Sequence, residues 1–500
     1  MVGTPVFLIA IPLLAAFLIP LLGMLWKELV RIIPGLVLAY MTVLSASLYL
    51  NVIETGTIVE TIAGWRAPWG IDLVFSPLTG LLATIMTFMG FIVWLYSYRF
   101  KRNVEFEAAK KYFIFLMLLV AGSVGIVITG DIFNQFVFIE IVGISAYALT
   151  AFYTGRDSAE AAFKYLIMGS LSASALLIAI IIVYAQLGTL NMAEIAANID
   201  NMNVHYRIIA MIFFIIGIGV EAEIFPLNGW APDAYTEAPG PVGGAFAGIV
   251  VKAGIYAMVR MMFTLFNISG PMQVLIVIGR ITLIVAETSA LRQEKLKRML
   301  AYSSIGQMGL VLVAFGMGTK AGVFAALFLM LNHAIIKPLL FLSGSFLTFN
   351  TTEKYIRQVT GMAKKMPVVS VLFALGALAI SGLPPFSGFW SKLSVLIAAA
   401  DEGLILIITL VLIISVIEIV YYFRVINRLF FFEYDEKISV EPHKPGLNGM
   451  VALYILAALI LLIGFFPSSV TGFLDLAAED LMNTHNYIDN VLQLGQSIIQ

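Results

Sequence analysis

Residues 221–252 read EAEIFPLNGWAPDAYTEAPGPVGGAFAGIVVK. Two carboxylates, Glu221 and Glu223, stand just before a proline, Pro226. A short polar turn follows, and then a lone lysine, Lys252, inside an apolar run. Proline offers no backbone N–H and collides with the carbonyl four residues back, so a helix arriving from Ile209 must break near Ala222. In hydrocarbon such a break survives only where protein or water satisfies the freed carbonyls. Lys252 lies about two turns into the next apolar stretch. A charge at that depth costs roughly 2.5–3.5 kcal/mol on insertion scales, which marks it as a functional candidate.

Composition sets the class around this stretch. Hydrophobic residues make up 61% of the 500, charged residues 12%, and the mean hydropathy is +0.98. A soluble chain of this length carries about twice that charge. Apolar runs of roughly 20 residues recur from end to end, so the sequence predicts an all-α polytopic membrane protein of about 14 transmembrane helices. They are expected near 4–25, 33–52, 78–98, 112–130, 132–152, 161–187, 208–230, 243–266, 272–291, 301–317, 321–348, 367–399, 403–427 and 449–467. The first run has no basic start and no small-residue cleavage site, so it reads as a permanent span. A net charge of -1 carries no nucleic-acid signature, and with no cysteine there can be neither a thiolate-held iron–sulfur cluster nor a disulfide.

Lysine and arginine test the count of spans. Of the 29, nineteen fall in the loops after odd-numbered spans and three (Arg66, Arg207 and Lys320) in the alternate loops. This bias places the odd loops in the cytoplasm and both termini outside a cytoplasmic (inner) membrane. The loop from Ile53 to Val74 reads as an acidic and aromatic cap, and the tail after Phe473 has the spacing of a helix lying along the membrane surface.

The break repeats. EAAFKYLIMGSLSA around Lys164 has a counterpart in NHAIIKPLLFLSGS around Lys337, and FPLNGW has one in SGLPPFSGFW, which holds Pro384 and Pro385 and leads to Lys392. The two pairs lie five spans apart in the same order. An odd number of spans per unit forces inversion, so two inverted five-helix repeats with discontinuous helices 7 and 12 are predicted. The expected organisation is helices 1–3 in 1–110, a first repeat of helices 4–8 in 111–266, a second of helices 9–13 in 267–430, and helix 14 with the tail in 431–500.

Ionisable residues inside the spans form a series: Glu140, Lys164, Glu221, Glu223, Lys252, His333, Lys337, Lys392 and Glu418. His333 and Lys337 are four apart and share a helix face. Histidine is the side chain whose charge changes nearest neutral pH, so His333 is expected to link Lys252 to Lys337. Glu140 is expected to need a cationic partner, while Lys164, near one end of its span, is also placed to snorkel.

These residues carry a family resemblance. Asp131–Glu140, Pro226–Gly240, Lys252–Arg260, QEKLKRMLAYSSIGQMG from Gln293, HAIIKPLLFL from His333, and GMAKKMP followed by AISGLPPFSGFWSK from Gly361 are similar to the large antiporter-like subunits. Mrp-type cation/proton antiporters, complex I and energy-converting membrane hydrogenases share these subunits, and the sequence most resembles the shorter D-type. The resemblance implies two half-channels joined by a lateral chain of charged groups, with Glu140, Lys252, Lys337 and Lys392 as the relay. It also implies neighbouring membrane subunits, protons and sodium ions as cargo, and no cofactor in this chain. Any iron–sulfur or nickel–iron centre would belong to partner subunits. Two positions depart from the family. Glu221 stands where lysine is usual, and Gln307 where histidine is usual. Three roles fit: an ion-translocating subunit of a redox-driven complex, a subunit of a stand-alone Na+/H+ antiporter, and a non-conducting scaffold.

Overall fold

The computed structural model describes residues 4–100, 105–266, 272–348, 354–434 and 446–497. Four of the basic loop residues counted above, Lys101, Arg102, Lys437 and Lys444, lie outside these. Six long helices open the chain: α1 (Phe7–Leu25), α2 (Leu29–Thr55), α3 (Pro77–Phe100), α4 (Phe106–Ile128), α5 (Ile132–Thr150) and α6 (Arg156–Leu187). The loop between α2 and α3 is more than a cap. It folds into an antiparallel hairpin of β1 (Ile58–Thr61) and β2 (Asp72–Phe75), with Ile58 opposite Phe75. Asp72 accepts hydrogen bonds from Thr61 Oγ1 (2.8 Å) and from Asn191 Nδ2 (2.9 Å), which ties the hairpin to the short helix α7 (Met192–Asn198).

The seventh span enters as α8 (Val204–Glu221), breaks, and resumes as α9 (Ala231–Glu237). α10 (Gly240–Ala245), a π-turn over Phe246–Val250 and α11 (Val251–Arg260) form the next span. The second half runs through α12 (Gln273–Arg292), α13 (Leu296–Gly316), α14 (Lys320–Leu347), α15 (Pro367–Ile380), α16 (Ser387–Asp401) and α17 (Ile405–Phe430). α18 (Leu447–Phe465), α19 (Ser468–Met482) and α20 (Thr484–Ser497) close the chain. Thirteen segments among the described residues are long and apolar enough to cross a membrane. The broken pair α15–α16 supplies the fourteenth, in agreement with the sequence.

The two breaks are copies at the level of single hydrogen bonds. In the first, the N–H of Ala222 reaches Ile218 O, that of Ile224 reaches back five residues to Gly219 O (3.0 Å), and that of Leu227 reaches Ile224 O. In the second, Ser381 reaches Ala377 O, Leu383 reaches Leu378 O (3.2 Å) and Phe386 reaches Leu383 O. Each break turns on a residue with positive φ, Glu223 (57°) in the first and Gly382 (78°) in the second. That conformation suits glycine; a side chain there costs roughly 1–2 kcal/mol. The first repeat therefore holds a glutamate where the second has the residue the backbone prefers.

α14 is the axis of the bundle. It is buried from Ala325 to its end and is surrounded by α10, α13, α15, α16, α18 and α19. Close approach to α10 depends on small residues: a methyl at Gly240 would collide with Ser345, and one at Gly248 would lie 3.0 Å from Pro338. The C-terminal segment docks on protein instead of lying free on the membrane surface. Asp480 accepts from Ser76 Oγ (2.6 Å) and from the N–H of Leu78 (3.1 Å). Lys320 pairs with Asp475 and Glu479, and the Arg260 guanidinium sits 4.7 Å over the Tyr487 ring. The helical spacing of Leu474 and Leu481 buries both against the protein.

The break geometry yields a paired test. Gly403→Ala meets positive φ (66°) with no atom within 4 Å of the new methyl, so it should destabilise by about 1 kcal/mol. Gly382→Ala meets the same strain and also places the methyl 2.8 Å from Lys392 Cδ. Thermal unfolding in detergent should therefore show the larger loss for Gly382→Ala.

Candidate functional site

Between the two breaks runs a line of buried polar side chains carried mainly by α11, α13, α14, α16 and α17. It starts at Lys252, which is fully buried beside the π-turn, and whose ammonium donates to Ala247 O (2.6 Å). The extra residue in a π-turn displaces the local helical register, a distortion frequent at functional positions. Lys252 Nζ also contacts His333 Nδ1, and His333 Nε2 faces Ser304 Oγ at 3.1 Å. With Lys252 as donor, the histidine is the neutral tautomer with its proton on Nε2, donating to Ser304.

Lys337, one turn on from His333, is completely buried. Its ammonium donates to Leu300 O (3.3 Å) and to the Tyr422 hydroxyl (3.1 Å). Here the expectation needs correction. His333 reaches Lys252, as predicted, but no hydrogen bond joins it to Lys337. The imidazole is used on both nitrogens, by Lys252 and Ser304, and Lys337 points instead to α17. The two lines meet on α13, where Ser304 belongs to the His333 side and Ser303 to the Lys337 side: Ser303 Oγ lies 3.0 Å from Tyr422 Oη.

Past Lys337 the line ends at the second break. Lys392 pairs with the fully buried Glu418, and Gln307 Nε2 donates to the other carboxylate oxygen (2.5 Å). Gln307 is thus a neutral side chain that helps to hold a buried anion. An ion pair in this setting stands only if its remaining lone pairs are bonded, and Gln307 supplies that bond.

The first half is arranged differently. Glu221 ends α8, is buried, and accepts from the Tyr165 hydroxyl (3.3 Å). The Tyr165 ring is stacked on Trp230 with centroids 3.4 Å apart. Glu223 is buried at the turn and accepts from the Tyr235 hydroxyl (2.7 Å), while its second oxygen has no partner among the described residues. Glu140 is half-buried on α5 and, contrary to expectation, has no cationic partner among the described residues. The reason is local. Glu221 is itself a carboxylate, Lys252 is engaged by His333, and Lys164 pairs with Glu160 and Asp233.

Lys164 does not join the buried line. Its side chain is 47% exposed and pairs with Glu160 (2.8 Å) and Asp233 (2.9 Å), and Arg298 also binds Asp233. Its counterpart Lys337 lies deep within α14, whereas Lys164 comes soon after the start of α6. Depth, not residue type, separates the two.

Several participants were missed from the sequence. Ser303, Ser304, Tyr421 and Tyr422 are common residues in apolar helices and carry no signal alone. Glu287 did carry one: a carboxylate inside an apolar run of α12, fully buried, it is a functional candidate by the same default applied to Lys252.

Inverted repeats, matched helix breaks and a buried line of lysine, histidine and glutamate define an antiporter-like membrane protein. Residues 129–418 match the family described as NADH:quinone oxidoreductase/Mrp antiporter, TM, and the chain belongs to it. It is 34% identical over 435 residues to the N-type subunit of the NADH-quinone oxidoreductase of Desulforudis audaxviator, covering 85% of this chain and 86% of that one. It is 29% identical over 497 residues to the D-type subunit of the Na(+)/H(+) antiporter of Bacillus subtilis, covering 97% and 98%. Among solved structures, a chain of the membrane-bound sulfane sulfur reductase, an archaeal respiratory membrane complex, superposes with a TM-score of 0.91 at 38% identity over 98% of this chain and 99% of that one. A chain of the Mrp complex from Dietzia shares the fold, with a TM-score of 0.89 at 24% identity over 98% of each.

The buried pair yields a stability test. Removing one member strands a buried charge, so Lys392→Ala should cost about 3–5 kcal/mol. The double neutral replacement Lys392→Met with Glu418→Gln should recover most of it. Lys164→Ala, at an exposed pair, should cost under about 1 kcal/mol. Thermal unfolding of the wild type and these three variants in detergent measures the differences.

Proposed function

We propose that this chain is the ion-translocating arm of a redox-driven respiratory membrane complex. In this reading it moves protons along the buried line from Lys252 through His333 and the α13 serines to Lys337, Lys392 and Glu418. Electron transfer takes place in partner subunits, which would hold any iron–sulfur or nickel–iron centres. One observation carries the reading: three buried hydrogen-bonded segments, Lys252–His333–Ser304, Ser303–Tyr422–Lys337 and Lys392–Glu418–Gln307, follow one another through the bundle toward the second helix break. Likeness to a chain of an archaeal respiratory complex at 38% identity supports the redox-driven setting.

In such a line each lysine is a switch. Burial disfavours an ammonium and a nearby carboxylate favours it, so a change in their separation binds or releases a proton. One pKa unit corresponds to about 1.36 kcal/mol. A charge moved against the membrane potential costs about 2.3 kcal/mol per 100 mV, so a few units per step suffice. The breaks at Pro226 and at Pro384–Pro385 are where water would reach the line from either side. The basic-residue bias supports a cytoplasmic-membrane protein with both termini outside.

A role in a stand-alone Na+/H+ antiporter is the second reading, favoured by end-to-end similarity to the Bacillus subtilis antiporter chain. Mass spectrometry of what co-purifies in mild detergent separates the two: metal-cluster subunits support the redox-driven complex, and small hydrophobic partners alone support the antiporter. In either setting, Lys252→Ala should abolish coupled proton movement in proteoliposomes while the subunits still assemble. Transport at the normal rate in that variant would remove the buried line from the mechanism.

A further inference from the structure

Glu287 lies off the line just described, on α12, and no step above uses it. It is completely buried, yet only one of its carboxylate oxygens is bonded: Oε2 lies 3.0 Å from the Tyr421 hydroxyl, and Oε1 has no partner among the described residues. Room for that free oxygen comes from α13, where Gly306 faces it and any methyl would collide with Oε1. A buried carboxylate with one bare oxygen is a poor structural element, because its desolvation is left largely uncompensated.

The hydroxyls beside it form an unbroken path. Tyr421 Oη lies 2.6 Å from Ser303 Oγ, Ser303 Oγ lies 3.0 Å from Tyr422 Oη, and Lys337 Nζ donates to Tyr422 Oη at 3.1 Å. Each hydroxyl has one proton to give and lone pairs to accept with. Two complete arrangements follow. With Lys337 charged, every bond donates toward Glu287: ammonium to Tyr422, Tyr422 to Ser303, Ser303 to Tyr421, and Tyr421 to the carboxylate. With Lys337 neutral, every bond reverses, and a protonated Glu287 donates through Tyr421, Ser303 and Tyr422 to the amine lone pair. Tyr421 sits within bonding distance of both neighbours and can donate to either one.

We propose that Glu287 is a proton-carrying residue coupled to Lys337 through Tyr421, Ser303 and Tyr422, forming a side branch of the second half. In the transfer, Lys337 loses one N–H proton and becomes a neutral amine. Each hydroxyl gives one proton and gains one, and Glu287 becomes a carboxylic acid. An ion pair becomes a neutral pair, no electron moves, and no co-reactant is needed. The branch lets Lys337 discharge without handing its proton onward to Lys392, and so gives the line a holding site.

The inference rests on the proposed translocation, so its test uses one readout that needs transport and one that does not. The assembled complex is purified with wild-type, Glu287→Gln, Tyr421→Phe or Lys337→Met chains. By infrared difference spectroscopy over a pH titration, the wild type should show a protonated-carboxyl band that Glu287→Gln abolishes. Its midpoint should move in Lys337→Met. In proteoliposomes, Glu287→Gln and Tyr421→Phe should each slow proton transport by roughly a hundredfold, the scale of losing one positioned proton-transfer group. Tyr421→Phe keeps both charges and removes only the hydroxyl, which separates a broken relay from a misfolded bundle. Wild-type transport rates in Tyr421→Phe, or a carboxyl band whose titration ignores Lys337, would overturn the branch. A wild-type complex that moves no protons would instead overturn the translocation reading, while the infrared titration still decides whether Glu287 and Lys337 exchange a proton.

Discussion

A buried ammonium group has to find lone pairs, and in this bundle that requirement settles where the helices touch. α14 carries Lys337 and His333 through the centre, and neither can be left bare. Lys337 takes a carbonyl of α13 and a hydroxyl of α17, while His333 takes the ammonium of α11 and a hydroxyl of α13. α13 thus serves both side chains, His333 through the Ser304 hydroxyl and Lys337 through Leu300 O. Apolar contact alone would hold these helices together, but it would not fix their rotation. The polar bonds do, because each has one geometry.

The two halves solve the same problem with different residues. In the second repeat the break turns on Gly382, and the charged pair Lys392–Glu418 is closed by Gln307. In the first, the turning residue is Glu223, Glu221 ends the incoming helix, and both carboxylates rest on tyrosines. The backbone hydrogen bonds of the two breaks match, so the difference is confined to side chains. Two carboxylates on a matching backbone are a change of chemistry without a change of fold.

Much of the site was legible because membranes make ionisable residues conspicuous. Lys252, His333, Lys337 and Lys392 stood out against apolar neighbours, and all four are buried where the spans predicted. The hydroxyls were illegible for the converse reason. Serine and tyrosine are tolerated anywhere in such helices, and only a neighbour from another helix gives them buried hydrogen-bond partners. Glu287 falls between these cases: its type was a signal, but its partner, Tyr421, comes from the distant helix α17.

The sequence by itself determined the class, the fourteen spans, the inverted repeat and the two breaks. These depend on local quantities, namely the length of an apolar run, the missing N–H of proline and the order of motifs along the chain. Only the tertiary structure decided which charges meet. Lys164 and Lys337 sit in matching motifs, yet one is half-exposed and pairs with Asp233 and the other is sealed inside. Glu140 was expected to find a cation and has none among the described residues, because Lys164 and Lys252 are held elsewhere. Pairing between side chains is set by helix depth and rotation, which are properties of the packed bundle and leave no trace in a single span.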